Sequence, residues 1–394
     1  MHKKFLKDLK PKAIIRSFSV EELMHKLAPL ESYRDATMLL NRFLHRSEGS
    51  RFKETTFRDH IESSGKRISK AVEAIATDIL NENGFDSKTG KPLNQRLLPV
   101  AITDPLFSSL EGNRELIEGI VENYNSKHEV QEQIPQQCLT YTGEFSTDNT
   151  VYISIDDVGV KKQKLKRGEG TSRDCRFVEN TVIHIQYGKS TFLITCIGMD
   201  EAFRRLVAFL LSNGLMKDRR LVFLTDGASD IRHRIEDVFS FRPYSLYLDW
   251  LHLKKKCKEY ISMAISGRLD AKKKIIKEFL RILFTGNVKG AKEYIIKQKI
   301  KNLDKLNEML SYLDRKAPYI PCYAIRSLLG LRISSNRVEK ANDLLVAQRQ
   351  KHNGMSWSVD GSGALAAVRM VNANKGLDSW LRNEIVDFAM DFAA

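Results

Sequence analysis

Three acidic residues stand where phosphodiester chemistry would need them. Asp156 and Asp157 follow the run Val-Tyr-Ile-Ser-Ile in the stretch VYISIDDVGV, residues 151–160. Such an alternating β-branched and aromatic run reads as a strand that ends on an acid. Taken alone, Asp-Asp-x-Gly reads equally well as a turn. Asp226 follows a second apolar strand, residues 221–224, in the step Thr225-Asp226-Gly227, and Glu339 lies in SSNRVEKAND, inside an expected helix of residues 336–350. Two acids at strand ends and one on a helix can converge on two divalent ions. Ions roughly 3.5–4 Å apart activate an attacking oxygen and stabilise a leaving one. Carboxylates suit this work because Mg²⁺ (or Mn²⁺) prefers hard oxygen donors. Asp156 is expected to bridge the ions, Asp226 to complete one and Glu339 the other, with Asp157 the alternative first ligand. Asp249 and His252, in LYLDWLHLKKK, follow a further strand. They read as an outer pair in which a carboxylate orients an imidazole, or as a purely structural histidine.

Other chemistries lack their motifs. The chain holds no GxxxxGK[ST], no HExxH and no GxSxG. Its five cysteines are scattered, none within four residues of another, which excludes zinc-knuckle spacing and suits a reducing cytoplasm. No apolar run approaches the roughly 20 residues that span a bilayer, and no apolar segment adjoins the basic N-terminus as a secretory signal requires. A membrane partner is therefore not expected. The net charge of +15 calls for an anionic partner, with nucleic acid first and a ribosomal or membrane surface as the alternative.

The elements that must position the acids follow from periodicity. Strands are expected at 178–186 and 190–197 as a hairpin, then a helix at 201–213, the strand before Asp226, a helix at 230–239 and a strand at 245–248. This is the order of a ribonuclease H-like fold: a mixed five-stranded α/β sheet flanked by helices. Residues 148–250 and 316–394 form that core, and residues 1–147 a helical N-terminal region. Within the latter, residues 57–61 and 67–80 read as two helices about a Ser63-Ser64-Gly65 turn. A possible helix-turn-helix would expose Arg67 and Lys70 to DNA. Two helices close the chain, at 364–374 after Gly361 and Gly363, and at 377–393.

Residues 251–315 read as an all-helical insertion, with helices at 251–265, 269–284, 289–300 and 303–314. Between Lys254 and Lys301 stand 15 Lys/Arg against four acids, too few acids for pairing along the helices. Lys254, Lys255, Lys256, Lys272, Lys273, Lys274 and Lys277 are the expected phosphate contacts. A second basic run, Lys161, Lys162, Lys164, Lys166 and Arg167, follows the first acids.

SIDDVGV, FLTDGASDIR, LDWLHLKKK and SSNRVEKANDLLVAQRQKHNGMSWS, in that order, resemble the bacterial insertion-sequence transposases of the DDE class, distantly Mutator-like. The likeness covers about residues 150–375. In such enzymes the second acid stands in a T/S-D-G step, a C/D-x-x-H motif follows, and a helical insertion precedes the glutamate helix. The resemblance implies a cytoplasmic, nucleoid-associated enzyme that cuts and joins DNA at terminal inverted repeats and target sites. It also implies two Mg²⁺ or Mn²⁺ ions and a homodimer or larger synaptic assembly. A catalytically silent transposase-derived DNA-binding protein and a structure-selective nuclease of the same fold are the rival expectations.

Overall fold

The computed structural model describes residues 18–105, 110–141, 143–164, 176–351 and 355–392. Lys166, Arg167, Cys175, Asn353, Gly354 and the basic N-terminus lie outside them. Five strands, β1 (Thr150–Lys161), β2 (Phe177–Tyr187), β3 (Ser190–Ile197), β4 (Arg220–Thr225) and β5 (Ser245–Leu248), form one sheet in the order β3-β2-β1-β4-β5. Only Gly188 and Lys189 separate the neighbours β2 and β3, a link that antiparallel strands alone permit. β4 runs parallel to β1, from Thr150↔Arg220 to Ser154↔Leu224. β5 runs parallel to β4, from Val222↔Ser245 to Thr225↔Leu248. The sheet is therefore mixed, as the sequence leads one to expect. Residues 150–155 are buried without interruption, because both faces of a parallel strand are covered.

One expectation about β1 needs correcting. The strand does not end at Asp156 but runs through Asp156 and Asp157 to Lys161. What stops, at Ser154, is its register with β4.

Among the described residues, the α-helices of six residues or more are, in chain order, α1 (Phe18–Leu27), α2 (Tyr33–Phe43), α3 (Glu54–Glu82), α4 (Leu110–Asn125), α5 (Met199–Ser212), α6 (Ser229–Val238) and α7 (Trp250–Ala264). They continue as α8 (Leu269–Phe284), α9 (Val288–Ile296), α10 (Leu303–Lys316), α11 (Tyr323–Leu328), α12 (Asn336–Asn342), α13 (Val359–Ala373) and α14 (Leu377–Asn383). Among the described residues no helix is long and apolar enough to cross a membrane. The chain divides into two compact units.

The first unit comprises Met1–Glu73, Gly159–Asn180 and Leu344–Phe388. Here the helical hairpin expected around residues 63–65 does not exist: α3 is one continuous helix of 29 residues. Gly65 serves close packing, since a Cβ there would stand 2.0 Å from the Ala364 carbonyl oxygen. The Ser64 hydroxyl is buried between His25 Nε2, 2.8 Å away, and the Trp380 indole N–H, which donates to it at 2.9 Å. Small polar residues make turns, but they also let helices cross closely, and here they do the second. Arg67 and Lys70 are exposed on this helix, and Arg67 pairs with Glu384 and lies 5.5 Å over the Trp380 ring. α13 starts at Val359, so Gly361 and Gly363 lie inside it. α14 stops at Asn383, where Glu384 takes a left-handed φ of 55°, well short of the expected residue 393.

The second unit comprises Ala74–Val158, Thr181–Asp343 and Ala389–Ala394. It holds the parallel strands, with α5 packed on β3. Helices α7 to α10 share a core of their own, including Leu253, Cys257, Ile261, Phe279, Leu283, Ile295, Leu306, Met309 and Leu313. Phe279, Leu280, Ile282 and Leu283 bury one stripe of the lysine-rich α8. At roughly 1.5–3 kcal/mol for each such side chain, this stripe keeps α8 folded despite its like charges. A buried ion pair, Arg326 Nη2 to Glu144 at 2.5 Å, ties α11 to the segment before β1.

Candidate active site

Three acids stand just beyond the ends of the parallel register. Asp156 lies two residues past Ser154, Asp226 directly follows β4, and Asp249 directly follows β5. Ligands of open α/β sheets gather at this carboxyl edge. Asp156 accepts from Asn342 Nδ2 at 2.5 Å and from the Asp157 backbone N–H at 2.9 Å. Burial, and next the charge of Asp226, push the Asp156 carboxyl up to about 6, while the hydrogen bond from Asn342 pulls it down. Asp226 Oδ1 accepts from the Ala228 N–H at 2.8 Å. Gly227 between them has φ of 87°, and a Cβ on it would meet Leu248 Cδ1 at 2.6 Å, so this step admits only glycine. Asp157 turns elsewhere and accepts from Thr181 Oγ1 at 2.5 Å. Adjacent strand residues face opposite ways, so only one of the two acids can share the Asp226 environment, and it is Asp156.

Asp249 is fully buried and organises two helices at once. Oδ1 caps α7 by accepting from the backbone N–H groups of Leu251 at 2.5 Å and His252 at 3.0 Å. Oδ2 accepts from the Ser335 hydroxyl at 2.6 Å and from the Ser335 N–H. Ser335 occupies the N-cap position of α12, but its hydroxyl goes to Asp249 and not to the helix. Burial works against the Asp249 anion, yet the His252 imidazole, then the Ser335 donors and the His252 N–H, outweigh it and hold its pKa below the usual carboxylate value. His252 stands between two acids, with Nδ1 3.6 Å from Asp249 Oδ1 and Nε2 3.5 Å from Glu339 Oε1. The Asp249 side chain raises the His252 pKa, with Asp226 and Glu339 adding to the effect. Glu339 itself is half exposed on α12.

Two neighbours carried no obvious signal. Asn342 is three residues after Glu339, on the same face of α12, and that spacing is the only hint the sequence offers. Lys316, the last residue of α10, donates to the Gly227 carbonyl at 2.5 Å beside Asp226. Burial, then Arg232 and Arg315, lower its pKa, and Asp226 works the other way. The basic residues separate. Lys254, Lys273 and Lys277 line a cleft of about 1050 Å³ with Trp250, Ile276 and Phe284, whereas Lys255, Lys256, Lys272 and Lys274 lie outside it. Lys256 faces Glu259 at 3.7 Å, and Lys272 donates to the Ser262 carbonyl at 2.8 Å.

Among the described residues, no three His, Cys, Asp or Glu side chains are gathered closely enough to grip an ion as they stand. The donor set nonetheless suits a hard divalent cation. Asp156 is raised partly because Asp226 repels its charge, and a cation between them would relieve that cost. Asn342 Oδ1, buried without a hydrogen-bond partner among the described residues, supplies a further hard oxygen nearby. No protein-family model matches this chain, and no curated protein matches it either.

Proposed function

We propose that this protein is a DDE-type DNA transposase with a ribonuclease H-like core, cutting and joining DNA at the ends of an insertion sequence. The observation that carries the reading is the pairing of Asp156 with Asp226 at the carboxyl edge of the parallel strands, in a chain of net charge +15. The strand order β3-β2-β1-β4-β5, with β4 and β5 parallel to β1, supports the core assignment. Asp156, Asp226 and Glu339 would hold Mg²⁺ or Mn²⁺, which when bound supplies activation of the attacking oxygen and charge relief at the leaving one. Asn342 keeps Asp156 aimed and favours its ionised form. Asp249 fixes α7 and α12 together, so His252 and Glu339 keep their spacing. The upward shift of His252 favours its protonated form beside Glu339, which would limit the repulsion among the acids. The lysine-lined cleft of α7 and α8 is the proposed path of duplex phosphates, and assembly as a dimer or larger synaptic complex goes with this reading.

The test is to incubate the protein with a labelled terminal-repeat duplex, a target plasmid and Mg²⁺ or Mn²⁺. Joint molecules that are absent without metal support transposition. Cleavage without joining would replace the reading with a structure-selective nuclease, and binding without cleavage with a silent DNA-binding descendant.

A further inference from the structure

A second cavity, of about 540 Å³, opens at the N-terminal end of α12. Arg332, Arg337 and Lys340 line it, and among the described residues no Asp or Glu does. The larger cleft of α7 and α8 mixes both signs, with Glu129, Glu132 and Glu259 among its lysines. Three cations around one hollow repel one another, and a half-buried guanidinium is costly unless an anion faces it.

Arg332 is held in place for such a partner. Its guanidinium donates to Gln186 Oε1 and lies 5.2 Å over the Tyr152 ring. Burial, then the charge of Arg337, bring the Arg332 pKa down to about 10. His184 feels the same field: burial, then Arg332 and Arg337, lower it to about 4. A further feature is Tyr152, which is among the residues lining the cavity and is only 3 % exposed. Its hydroxyl has no hydrogen-bond partner of good geometry among the described residues, although the Arg332 backbone N–H lies near enough to favour the phenolate. A buried hydroxyl of this kind expects a ligand or a water.

A tetrahedral oxyanion answers every one of these groups. It offers oxygens to a guanidinium fork, an ammonium and a phenol together, and arginine suits phosphate by its paired N–H geometry. We propose that Arg332, Arg337, Lys340 and the Tyr152 hydroxyl form a seat for one phosphate of a nucleic-acid strand, beside the helix that carries Glu339. The seat stands on its own lining, and that its phosphate belongs to a nucleic-acid strand rests on the function proposed above. Arg337 and Lys340 flank Glu339 in the chain, so a strand gripped here is indexed against the acid on the same helix.

The test uses the full chain in EDTA, so that no cutting intervenes. A fluorescent duplex is titrated by anisotropy across a salt series against wild type and R337Q/K340Q, both changes being on exposed residues. The variant should bind more weakly, with a salt slope smaller in magnitude by about 0.9 for one phosphate no longer neutralised. Methylphosphonate scanning should find one neutralised position that weakens the wild type and leaves the variant indifferent. A folded variant with unchanged affinity and slope overturns the seat. If wild type binds no nucleic acid, the proposed function falls first, and ³¹P line broadening by inorganic phosphate decides the remainder. Broadening that disappears in the variant would keep the seat as a site for free phosphate, and absence of broadening by wild type would overturn it.

Discussion

Replacing Asp249 tests whether one buried carboxylate sets the geometry of the site. In Asp249→Ala, α7 loses an N-cap bound to two N–H groups, a loss of about 1–2 kcal/mol. The buried Ser335 N–H and hydroxyl lose their acceptor, costing about 1–3 kcal/mol more. The expected destabilisation is therefore roughly 2–5 kcal/mol. In Asp249→Asn one amide oxygen can still cap α7, but the NH₂ now faces the Ser335 donors, so the loss should be smaller, about 1–3 kcal/mol. Urea unfolding in chelated buffer measures both, read as a shift in midpoint at constant m. The pH dependence carries a sign as well. His252 is raised, so its pairing stabilises below the unfolded value and is lost as pH rises through the folded pKa. Asp249 is lowered, so its contribution is present above the unfolded carboxylate value and is lost in acid. The destabilisation of Asp249→Ala should thus be largest between about pH 4 and 6.5. The ring protons of His252 should titrate lower in Asp249→Asn than in wild type. Wild-type stability in the alanine variant, with an unmoved His252 titration in the asparagine variant, would show that Asp249 neither joins the two helices nor tunes the histidine.

Other outcomes follow from the same structure. Gly65→Ala forces a Cβ onto the Ala364 carbonyl and should destabilise by about 1–3 kcal/mol or more in thermal or denaturant unfolding. Asn342→Ala should raise the Asp156 carboxyl above about 6, and Asp226→Asn should lower it, both visible by ¹³C carboxylate titration without metal. His184, lowered to about 4, resists protonation in the folded state, so stability should fall as pH drops from about 6.5 towards 4. The loss is at most about 3 kcal/mol, and a neutral substitute such as His184→Asn should flatten that part of the pH–stability curve.

The parallel strands were legible because short apolar runs, 151–155, 221–224 and 246–248, each lead within two residues to an acid, although the sequence did not show that β1 continues past its own. The helices of residues 250–316 were legible because their apolar residues recur at helical spacing whatever the lysines do. The helical hairpin failed for a physical reason: Ser63-Ser64-Gly65 satisfies a turn and a close helix crossing equally, and only the Ala364 carbonyl distinguishes them. Asp156 and Asp157 could not be ranked from sequence, since the pleat that separates them is a property of β1 and its neighbours. Asn342 escaped because an uncharged amide on a helix carries no composition signal. The role of Asp249 was half visible, as a partner of His252, while its hold on Ser335 joins residues 86 apart and appears only in three dimensions.

Asp156, Asp226 and Glu339 are proposed to form one metal-dependent centre for cutting DNA. The decisive experiment is the nicking rate of supercoiled plasmid in Mg²⁺ or Mn²⁺ by wild type, Asp156→Asn, Asp226→Asn and Glu339→Gln, each shown to be folded. A single centre requires metal-dependent nicking by wild type and a loss of at least about 100-fold in every one of the three variants, beyond what outer partners of a metal usually contribute. Nicking that survives in any folded variant, or that proceeds unchanged in EDTA, would rule such a centre out.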